Sequence, residues 1–274
     1  MTARPDHSTV TCLSDMGTAD ESVGVIHSIL RQSAPGAAVI DLCHQIDPDD
    51  VRTAALMLAR SVPYLAPGVV LASVGRRLDR PAIAVSVGKG QSMLVGPDNG
   101  VLAATTAAVG GADIAVRIEC PGGRDPASVL HPMRDVLAPA AGRLAADEPV
   151  ETLGTPIDPA LLMPSLVAVP RVDDDGSVTA EVLSVTRWGT VQLNVDRDTL
   201  APLGNLLVAE WTDNGPTSPA GQANARLASA GSPGTSGLEL CDDPFGLLEL
   251  TVAGRSAAHL GFAPGAEVRL RPAT

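Results

Sequence analysis

The sequence predicts an α/β N-terminal domain with a mostly parallel sheet, followed by a smaller all-β barrel domain. Between residues 8 and 160, apolar runs of strand length alternate with helical patterns, which is typical of a parallel sheet covered on both faces. Between residues 166 and 274, strand patterns follow one another with few helices, which indicates a small barrel or sandwich. We therefore expect two domains with these boundaries.

The composition is that of a globular chain with an aliphatic core. Hydrophobic residues make up 45% of the 274 residues but aromatic residues only 2%, so the core must consist of Val, Leu, Ile and Ala. The net charge of −12 argues against nucleic acid or an anionic membrane as a partner. The first residues lack an apolar signal core, and no apolar run could span a bilayer, so we expect a cytoplasmic protein.

The four cysteines give no reason to expect a metal site. They contain no C-x-x-C pair, which is the spacing typical of structural zinc sites. Cys12 and Cys43 lie inside apolar runs, so they are most simply interpreted as buried core thiols. We therefore predict no metal ligands.

The first strand, loop and helix occupy residues 10–30. An apolar strand at 10–13 is followed by the flexible sequence S-D-M-G-T, and T-x-x-E at 18–21 fits a capping box that opens a helix. Ligands of open α/β sheets bind beyond the carboxyl ends of strands, where helix N-termini also lie, so Asp15 and Asp20 are candidate ligand contacts. The alternative is that Asp15 shapes the turn and Asp20 only favours the helix dipole.

The remaining elements follow from the same patterns. In the first domain we expect strands at 38–43, 69–74, 82–87, 93–95 and 114–118, with helices opening at 48 and spanning 101–109 and 131–144. In the second we expect strands at 166–172, 178–185, 190–195, 206–211, 238–240, 247–252 and 268–270, and a helical turn at 256–260. The segment 212–237 is rich in Pro, Gly, Ser, Ala and Asn, and we predict one long loop there.

Four segments, in this order, resemble the S-adenosylmethionine hydroxide adenosyltransferase family, relatives of the fluorinating and chlorinating enzymes that attack the same molecule. They are S-D-M-G-T at 14–18 with Asp20 and Ser22, D-L-C-H at 41–44 continuing to 51, G-P-D-N-G at 96–100, and 245–257 beginning Phe-Gly. The resemblance covers nearly the whole chain. It implies an α/β domain, a β-barrel and a homotrimer that holds its ligand between the N-domain of one subunit and the C-domain of the next.

The reaction that the resemblance implies is a displacement at the 5′ carbon of S-adenosylmethionine. Water or hydroxide attacks, methionine leaves and adenosine forms, with no cofactor beyond S-adenosylmethionine as the substrate. The sulfonium is already an activated leaving group. The protein therefore has to hold the ribose, bury the carbon and align the nucleophile.

The resemblance also implies roles for single residues. The residue that matches Asp15 holds the ribose hydroxyls, and those that match Asp20 and Ser22 lie near the methionine end. Trp188 can stack on adenine. The other candidate ligand contacts are Asp49, Asn99, Thr190 and Phe245. A loop carboxylate that faces a cleft contributes little to packing, so we expect Asp15 to be dispensable for the fold.

His131 and Arg80 are the candidate catalytic residues. Hydroxide-using members carry an Asp-Pro-Gly loop after the third strand, and the aspartate has no counterpart here, where that strand leads directly to Arg76. Arg80 matches the family arginine, with Arg76 and Arg77 close by. His131 matches the family histidine, and the alternative is a structural or surface role. Arg134 is expected to form an ion pair with its neighbour at a helix start.

Two other functions stay open at this point. One is a halogenase with chloride or fluoride as the nucleophile; the retained histidine and the absence of a long insertion after the third strand argue against it. The other is a catalytically impaired protein that binds adenosine or S-adenosylmethionine, which the missing aspartate favours. General acid–base catalysis contributes a factor of roughly 10² to 10⁴ in rate. Because the aspartate that supports it is missing, we expect hydrolysis to be slow but not absent.

Overall fold

The chain folds as two units, Met1–Leu166 and Val167–Thr274. The computed structural model describes residues 7–124, 128–212, 220–228, 237–252 and 256–273. In the part of the chain that it describes, no helix has both the length and the apolar character that crossing a bilayer would require.

One sheet of seven described strands forms the centre of the first unit. The strands are β1 (Thr9–Ser14), β2 (Ala38–Cys43), β3 (Val69–Ser73), β4 (Ala82–Val87), β5 (Ser92–Pro97), β6 (Ala112–Ile118) and β7 (Gly154–Ile157). Their order across the sheet is β2-β1-β3-β5-β4-β6-β7. Strands β2, β1, β3 and β5 run parallel to one another, whereas β4, β6 and β7 add through antiparallel pairs.

Helices cover both faces of this sheet. They are α1 (Ser22–Ser33), α2 (Val51–Ser61), α3 (Ala103–Ala108) and α4 (Ala138–Ala145), the last continuing a π-helical turn at Met133–Leu137. Cys12 of β1 packs in one core with Leu30 of α1 and Leu144 of α4. The next residue, Leu13, points to the opposite face and packs with Leu58 of α2. Successive strand residues thus supply two separate cores, as a sheet buried on both faces requires.

The start of α1 differs from the predicted capping box. The helix begins at Ser22, its N-cap residue is Glu21, and no side chain caps it. Asp20 Oδ1 instead accepts the Ser22 N–H at 2.9 Å. A local Asx-type turn therefore competes with the box and delays the helix. The second helix opens as expected, because Asp50 caps it by accepting the Thr53 N–H at 2.9 Å.

The second unit is a closed barrel. Its described strands are β8 (Arg171–Val172), β9 (Val178–Val185), β10 (Val191–Leu193), β11 (Leu206–Trp211), β12 (Gly221–Leu227), β13 (Leu238–Asp242), β14 (Leu248–Val252) and β15 (Glu267–Pro272), with a short helix α5 (Arg197–Leu200). Seven of them form the ring β10-β14-β13-β12-β11-β15-β9, which the β9–β10 pairing closes, and β8 adds outside β9. The predicted fold class is confirmed.

Two predictions for this unit are wrong. The centre of the expected loop at 212–237 is β12, which pairs with β11 from Gly221 to Arg226; residues 213–219 and 229–236 lie outside the described residues. Ring closure needs this strand, and its Gly221 lies so close to the Trp211 indole that a Cβ would approach Cζ2 within 2.4 Å. The expected strand at 166–172 shortens to β8, because its apolar residues, such as Val169, face solvent.

Candidate functional site

A cavity of about 560 Å³ opens in the first unit beyond the carboxyl ends of β1 and β3. Met16, Val25 and Met133 provide apolar lining. The polar lining residues are Asp15, Glu21, Ser22, Ser73, Arg76, His131 and Arg134. Acidic and basic side chains therefore face the same space, which suits a ligand that carries both signs of charge.

Asp15 joins the loops that follow β1, β2 and β3. Its Oδ2 accepts the backbone N–H of Gly75 at 2.9 Å and that of Asp49 at 3.1 Å. Asp49 has a left-handed backbone with φ of 65° and Gly75 has φ of 100°, so both loops turn sharply to reach this oxygen. Because two backbone donors use this carboxylate, the structure counts against the expectation that Asp15 is dispensable for the fold.

Ser22 and Asp20, at the start of α1, differ in their position relative to the cavity. Ser22 lines the cavity, as does Glu21, whereas Asp20 is exposed and is not among the described lining residues. The hydrogen bond from Ser22 lowers the pKa of Asp20. Asp20 thus shapes the loop through its backbone contact, and its role at the methionine end stays a prediction.

His131 and Arg134 reach the cavity from the π-helical turn. His131 is exposed there, and its carbonyl oxygen accepts the Asp135 N–H at 2.8 Å. Arg134 forms the expected ion pair, with Nε 2.7 Å from Asp135 Oδ1 and the second guanidinium nitrogen 3.0 Å from Oδ2. This bidentate contact raises the pKa of Arg134 and lowers that of Asp135. It also fixes the guanidinium at the cavity wall.

Arg80 and Asn99 lie elsewhere. Arg80 Nε donates to the Asp98 carbonyl oxygen at 3.1 Å, and Arg80 is not among the described residues that line the cavity. Arg76, from the same loop as Arg80, does line the cavity. Asn99 donates to the Val74 carbonyl oxygen at 3.2 Å and so holds its loop against the end of β3. The catalytic role of Arg80 and the ligand contact of Asn99 stay predictions.

The three candidates of the second unit lie in turns of the barrel. Trp188 is 82% exposed in the turn between β9 and β10, and Thr190 in the same turn bonds Thr186 through their hydroxyls at 2.6 Å. Phe245 is 45% exposed, and its N–H donates to Asp243 Oδ1 at 2.7 Å. Two aromatic side chains that stay in water on an aromatic-poor chain are available for a ligand or another subunit.

A hydrogen-bonded chain behind the β1 loop was missed from the sequence. Ser14 Oγ lies 2.7 Å from His44 Nδ1, and His44 Nε2 lies 2.9 Å from Asp41 Oδ1. His27 Nε2 lies 2.8 Å from the same oxygen. Burial raises the pKa of Asp41, but the hydrogen bonds from His44 and His27 outweigh this and hold it below its usual value. The signal was present, since Ser14 and His44 each follow directly on Leu13 and Cys43, which are paired in β1 and β2.

The predicted burial is confirmed for Cys12 and is wrong for Cys43, which lies at the end of β2 and is only partly buried. All four cysteines lie within the described residues, and none of them forms a disulfide. Cys12 is fully buried in the core, and burial together with the charge of Asp41 raises its pKa to about 12. The thiol is therefore protonated and inert at neutral pH.

Comparison with known proteins identifies the family. A family model described as the SAM hydroxide adenosyltransferase N-terminal domain matches residues 10–154, more than half of the chain. Proteins of Salinispora tropica and Salinispora arenicola, both named (R)-S-adenosyl-L-methionine hydrolase, are 35% and 38% identical, and each match covers 95% of this chain and 97% of the relative. A fluorinase of Actinopolyspora mzabensis is more distant, at 22% identity over 71% of this chain and 74% of its own length.

A solved structure shares the fold of both units. The crystal structure of an uncharacterized conserved protein from Thermotoga maritima matches with a TM-score of 0.80 at 25% identity, over 96% of this chain and 99% of that one. Both units are therefore shared with a known structure. The chain belongs to the S-adenosylmethionine hydroxide adenosyltransferase family.

Proposed function

We propose that the protein hydrolyses S-adenosylmethionine to adenosine and methionine. The observation that carries this proposal is the cavity beyond β1 and β3, where Asp15, Arg76 and His131 face one space in a chain of this family. S-adenosylmethionine carries a sulfonium, an ammonium and a carboxylate, and the residues that line the cavity include both acidic and basic side chains. The relatives that match most of the chain are named hydrolases of this molecule.

The reaction needs one bond to form and one to break. The oxygen of water attacks the 5′ carbon while the carbon–sulfur bond breaks, and its electron pair leaves with sulfur as the neutral thioether of methionine. Water loses its proton to the imidazole of His131, which lies exposed at the cavity wall. The rest of the rate enhancement comes from enclosing the 5′ carbon and aligning the water molecule with it.

Asp15 orients the ribose in this proposal. Because Oδ2 already accepts two backbone N–H groups, the carboxylate is fixed in direction and its Oδ1 is offered to the ribose hydroxyls. A preorganised acceptor of this kind loses little conformational entropy when the ligand binds. The contact to the diol is thus made by a carboxylate that the fold itself positions.

Slow turnover follows from the end of β3. Ser73 ends this strand and lines the cavity, and the chain after it leads directly to Arg76 with no counterpart of the family's aspartate. The cavity therefore lacks the negative charge that would orient or polarise the attacking water from this loop. We therefore expect hydrolysis that is measurable but weak, and a protein that only binds the nucleoside is the second candidate.

Product analysis tests the proposal. Purified protein is incubated with S-adenosylmethionine in ¹⁸O-labelled water, with and without chloride or fluoride, and the products are identified by mass spectrometry. Adenosine with the heavy oxygen at its 5′ hydroxyl is expected in every arm. A halogenated nucleoside would show that the protein is a halogenase and not a hydrolase. Substrate that binds but stays unchanged would show that the protein only binds its ligand.

We also propose a homotrimer located in the cytoplasm. The exposed aromatic side chains of Trp188 and Phe245 support an assembly, since another subunit could cover them. Four cysteines that form no disulfide among the described residues are typical of a reducing compartment, where disulfides do not persist. Neither nucleic acid nor a membrane is expected as a partner of a chain with net charge −12.

A further inference from the structure

Three side chains outside the cavity bring metal-ligating atoms together. His27 of α1, Asp41 of β2 and His44 just beyond β2 each offer one ligand atom, and these atoms lie within 4.8 Å of one another. Both imidazole Nε2 atoms point at Asp41 Oδ1, from 2.8 Å for His27 and 2.9 Å for His44. Three donor atoms this close together can face a single ion, whose bonds to nitrogen and oxygen are about 2.0–2.2 Å long.

The cluster stands on fixed elements. Helix α1 is held against the sheet by Ile26, which precedes His27 and is 2% exposed, and by Leu30. Asp41 lies within β2, paired with Cys12 of β1. A site whose ligands come from a packed helix and a paired strand loses little conformational freedom when an ion binds.

Burial differs across the cluster in a way that suits entry of an ion. The His44 side chain is 3% exposed, whereas those of His27 and Asp41 are 38% and 40% exposed. One side of the cluster is therefore enclosed by protein and the other is open to water. Three protein ligands with water in the fourth position make a coordination set typical of accessible zinc sites.

Ser14 supplies the outer contact that such a site needs. Its Oγ is fully buried and lies 2.7 Å from His44 Nδ1. When Nε2 binds a metal ion, the ring proton moves to Nδ1 and is donated to this hydroxyl oxygen. Histidines that bind metals usually donate their other ring N–H in this way, which fixes the tautomer and the ring orientation.

We propose that His27, Asp41 and His44 form a binding site for a divalent transition metal of the Zn²⁺ class. Two imidazole nitrogens and one carboxylate oxygen favour such an ion over Mg²⁺ or Ca²⁺, which prefer oxygen alone. The inference is independent of the cysteines and of the hydrolase proposal. Because the His44 carbonyl oxygen accepts the Gly17 N–H at 2.6 Å, the bound ion would also brace the loop that carries Asp15.

Calorimetric titration of chelator-stripped protein with Zn²⁺ tests the site. We expect about one ion per chain, with Mg²⁺ binding far more weakly. His27→Gln and Asp41→Asn should each weaken Zn²⁺ binding at least about tenfold, since even outer contacts are worth roughly 10- to 100-fold. His27 and Asp41 are partly exposed, so these variants should fold, and circular dichroism checks that they do.

Two control variants separate this site from incidental binding. His259→Gln removes an exposed histidine of the second unit, and Cys43→Ser removes the thiol next to His44; both should bind Zn²⁺ as the wild type does. Nitrogen NMR of the imidazoles gives a second readout, because coordination should shift Nε2 of His27 and not that of His259. Wild-type protein that binds no Zn²⁺, His27→Gln that binds it equally well, or loss of binding in Cys43→Ser would overturn the site.

Discussion

Asp15 lines the cavity and also holds two neighbouring loops through the same carboxylate. Its Oδ2 accepts the N–H groups of Gly75 and Asp49, and the group as a whole lines the cavity. Asp15→Ala should therefore weaken the binding of adenosine or S-adenosylmethionine by at least about tenfold, because hydrogen bonds to a charged group contribute roughly 1.5–3 kcal/mol. Calorimetric titration measures this. Asp15→Asn should fall between, since its amide oxygen accepts without a charge.

The same variants should also be less stable. Removing the acceptor leaves the partly buried N–H of Gly75 and the exposed N–H of Asp49 without their partner, so urea unfolding of Asp15→Ala should give a lower free energy of unfolding by about 1 kcal/mol or more. Ser22→Ala, at the same cavity, serves as a comparison for binding without that structural contact. If Asp15→Ala binds adenosine as the wild type does, the ligand does not lie on this loop.

His131 carries the residue-scale prediction about rate. The proposed role as proton acceptor requires that His131→Ala lower turnover by roughly 10²-fold or more while the dissociation constant of S-adenosylmethionine stays unchanged. Single-turnover kinetics and calorimetry measure the two quantities separately, and His259→Ala is the matched control at an exposed site. Turnover equal to wild type would remove His131 from the chemistry.

Sequence reasoning located some of these residues and not others, for a physical reason. Asp15 follows a strand directly, so the rule for open sheets placed it at the cavity. Whether Arg80 or Arg76 lies at the cavity depends on the path of the loop after β3, which the sequence pattern does not give. In the structure Arg80 donates to the Asp98 carbonyl oxygen, and Arg76 lines the cavity. The Ser14–His44 contact joins neighbouring strands and could have been read from their register.

At the scale of elements, β3 and β5 approach so closely that only glycine fits at one position. A Cβ added at Gly96 of β5 would lie 2.4 Å from the Ala72 carbonyl oxygen of β3. Gly96→Ala should therefore lower the free energy of unfolding by about 1–3 kcal/mol, because the strand backbones must move apart. Gly24→Ala in α1, where a Cβ meets nothing within 4 Å, should instead be neutral or stabilising. Urea unfolding compares the two, and equal stabilities would contradict the close approach.

The end of α4 carries a pH-dependent contact. Glu148 accepts two hydrogen bonds from Arg143, in the last turn of the helix, and one from Thr152 at 2.7 Å. These bonds, with that of Arg143 the strongest, lower the pKa of Glu148 to about 2. A depressed carboxyl pKa stabilises the fold above the unfolded value of 4.5, and this contribution is lost as the pH falls towards about 2.

The expected size is modest, since the Glu148 side chain is 34% exposed and water screens the pair. Glu148→Gln should lower the free energy of unfolding by about 0.2–1 kcal/mol at neutral pH and by nothing measurable near pH 2. Denaturant unfolding at both pH values measures the difference, with exposed Glu151→Gln as the control. A pH-independent deficit would point to packing instead of charge.

Element prediction succeeded where burial alone sets the pattern. Strand β9 was placed at its observed bounds because its apolar alternation is continuous. Strand β12 was missed, since its sequence G-Q-A-N-A-R-L has low β-propensity and its position depends on pairing with β11. The short β7 was missed likewise; it exists because β6 offers an edge for it.

For the whole molecule, the proposed trimer predicts a concentration-independent mass. Light scattering behind size exclusion should give three chains at micromolar concentration, and Trp188→Ala should weaken the assembly or the ligand contact, since this indole is 82% exposed in the single chain. Arg171→Ala, another exposed change in the same unit, is the control. A stable monomer would contradict the assembly.

The closed barrel has an odd number of strands, and parity then limits how the chain can run. Around a ring of seven described strands, direction cannot alternate at every step, so at least one pair of neighbours must point the same way. That pair is β12 and β13, the one parallel pairing in the described ring. A tight hairpin reverses the direction of the chain, so it cannot join two parallel neighbours, and Leu238 at the start of β13 is paired with Ala225 two residues before the end of β12. Replacing the chain between Leu227 and Leu238 by a tight turn should therefore prevent the ring from closing.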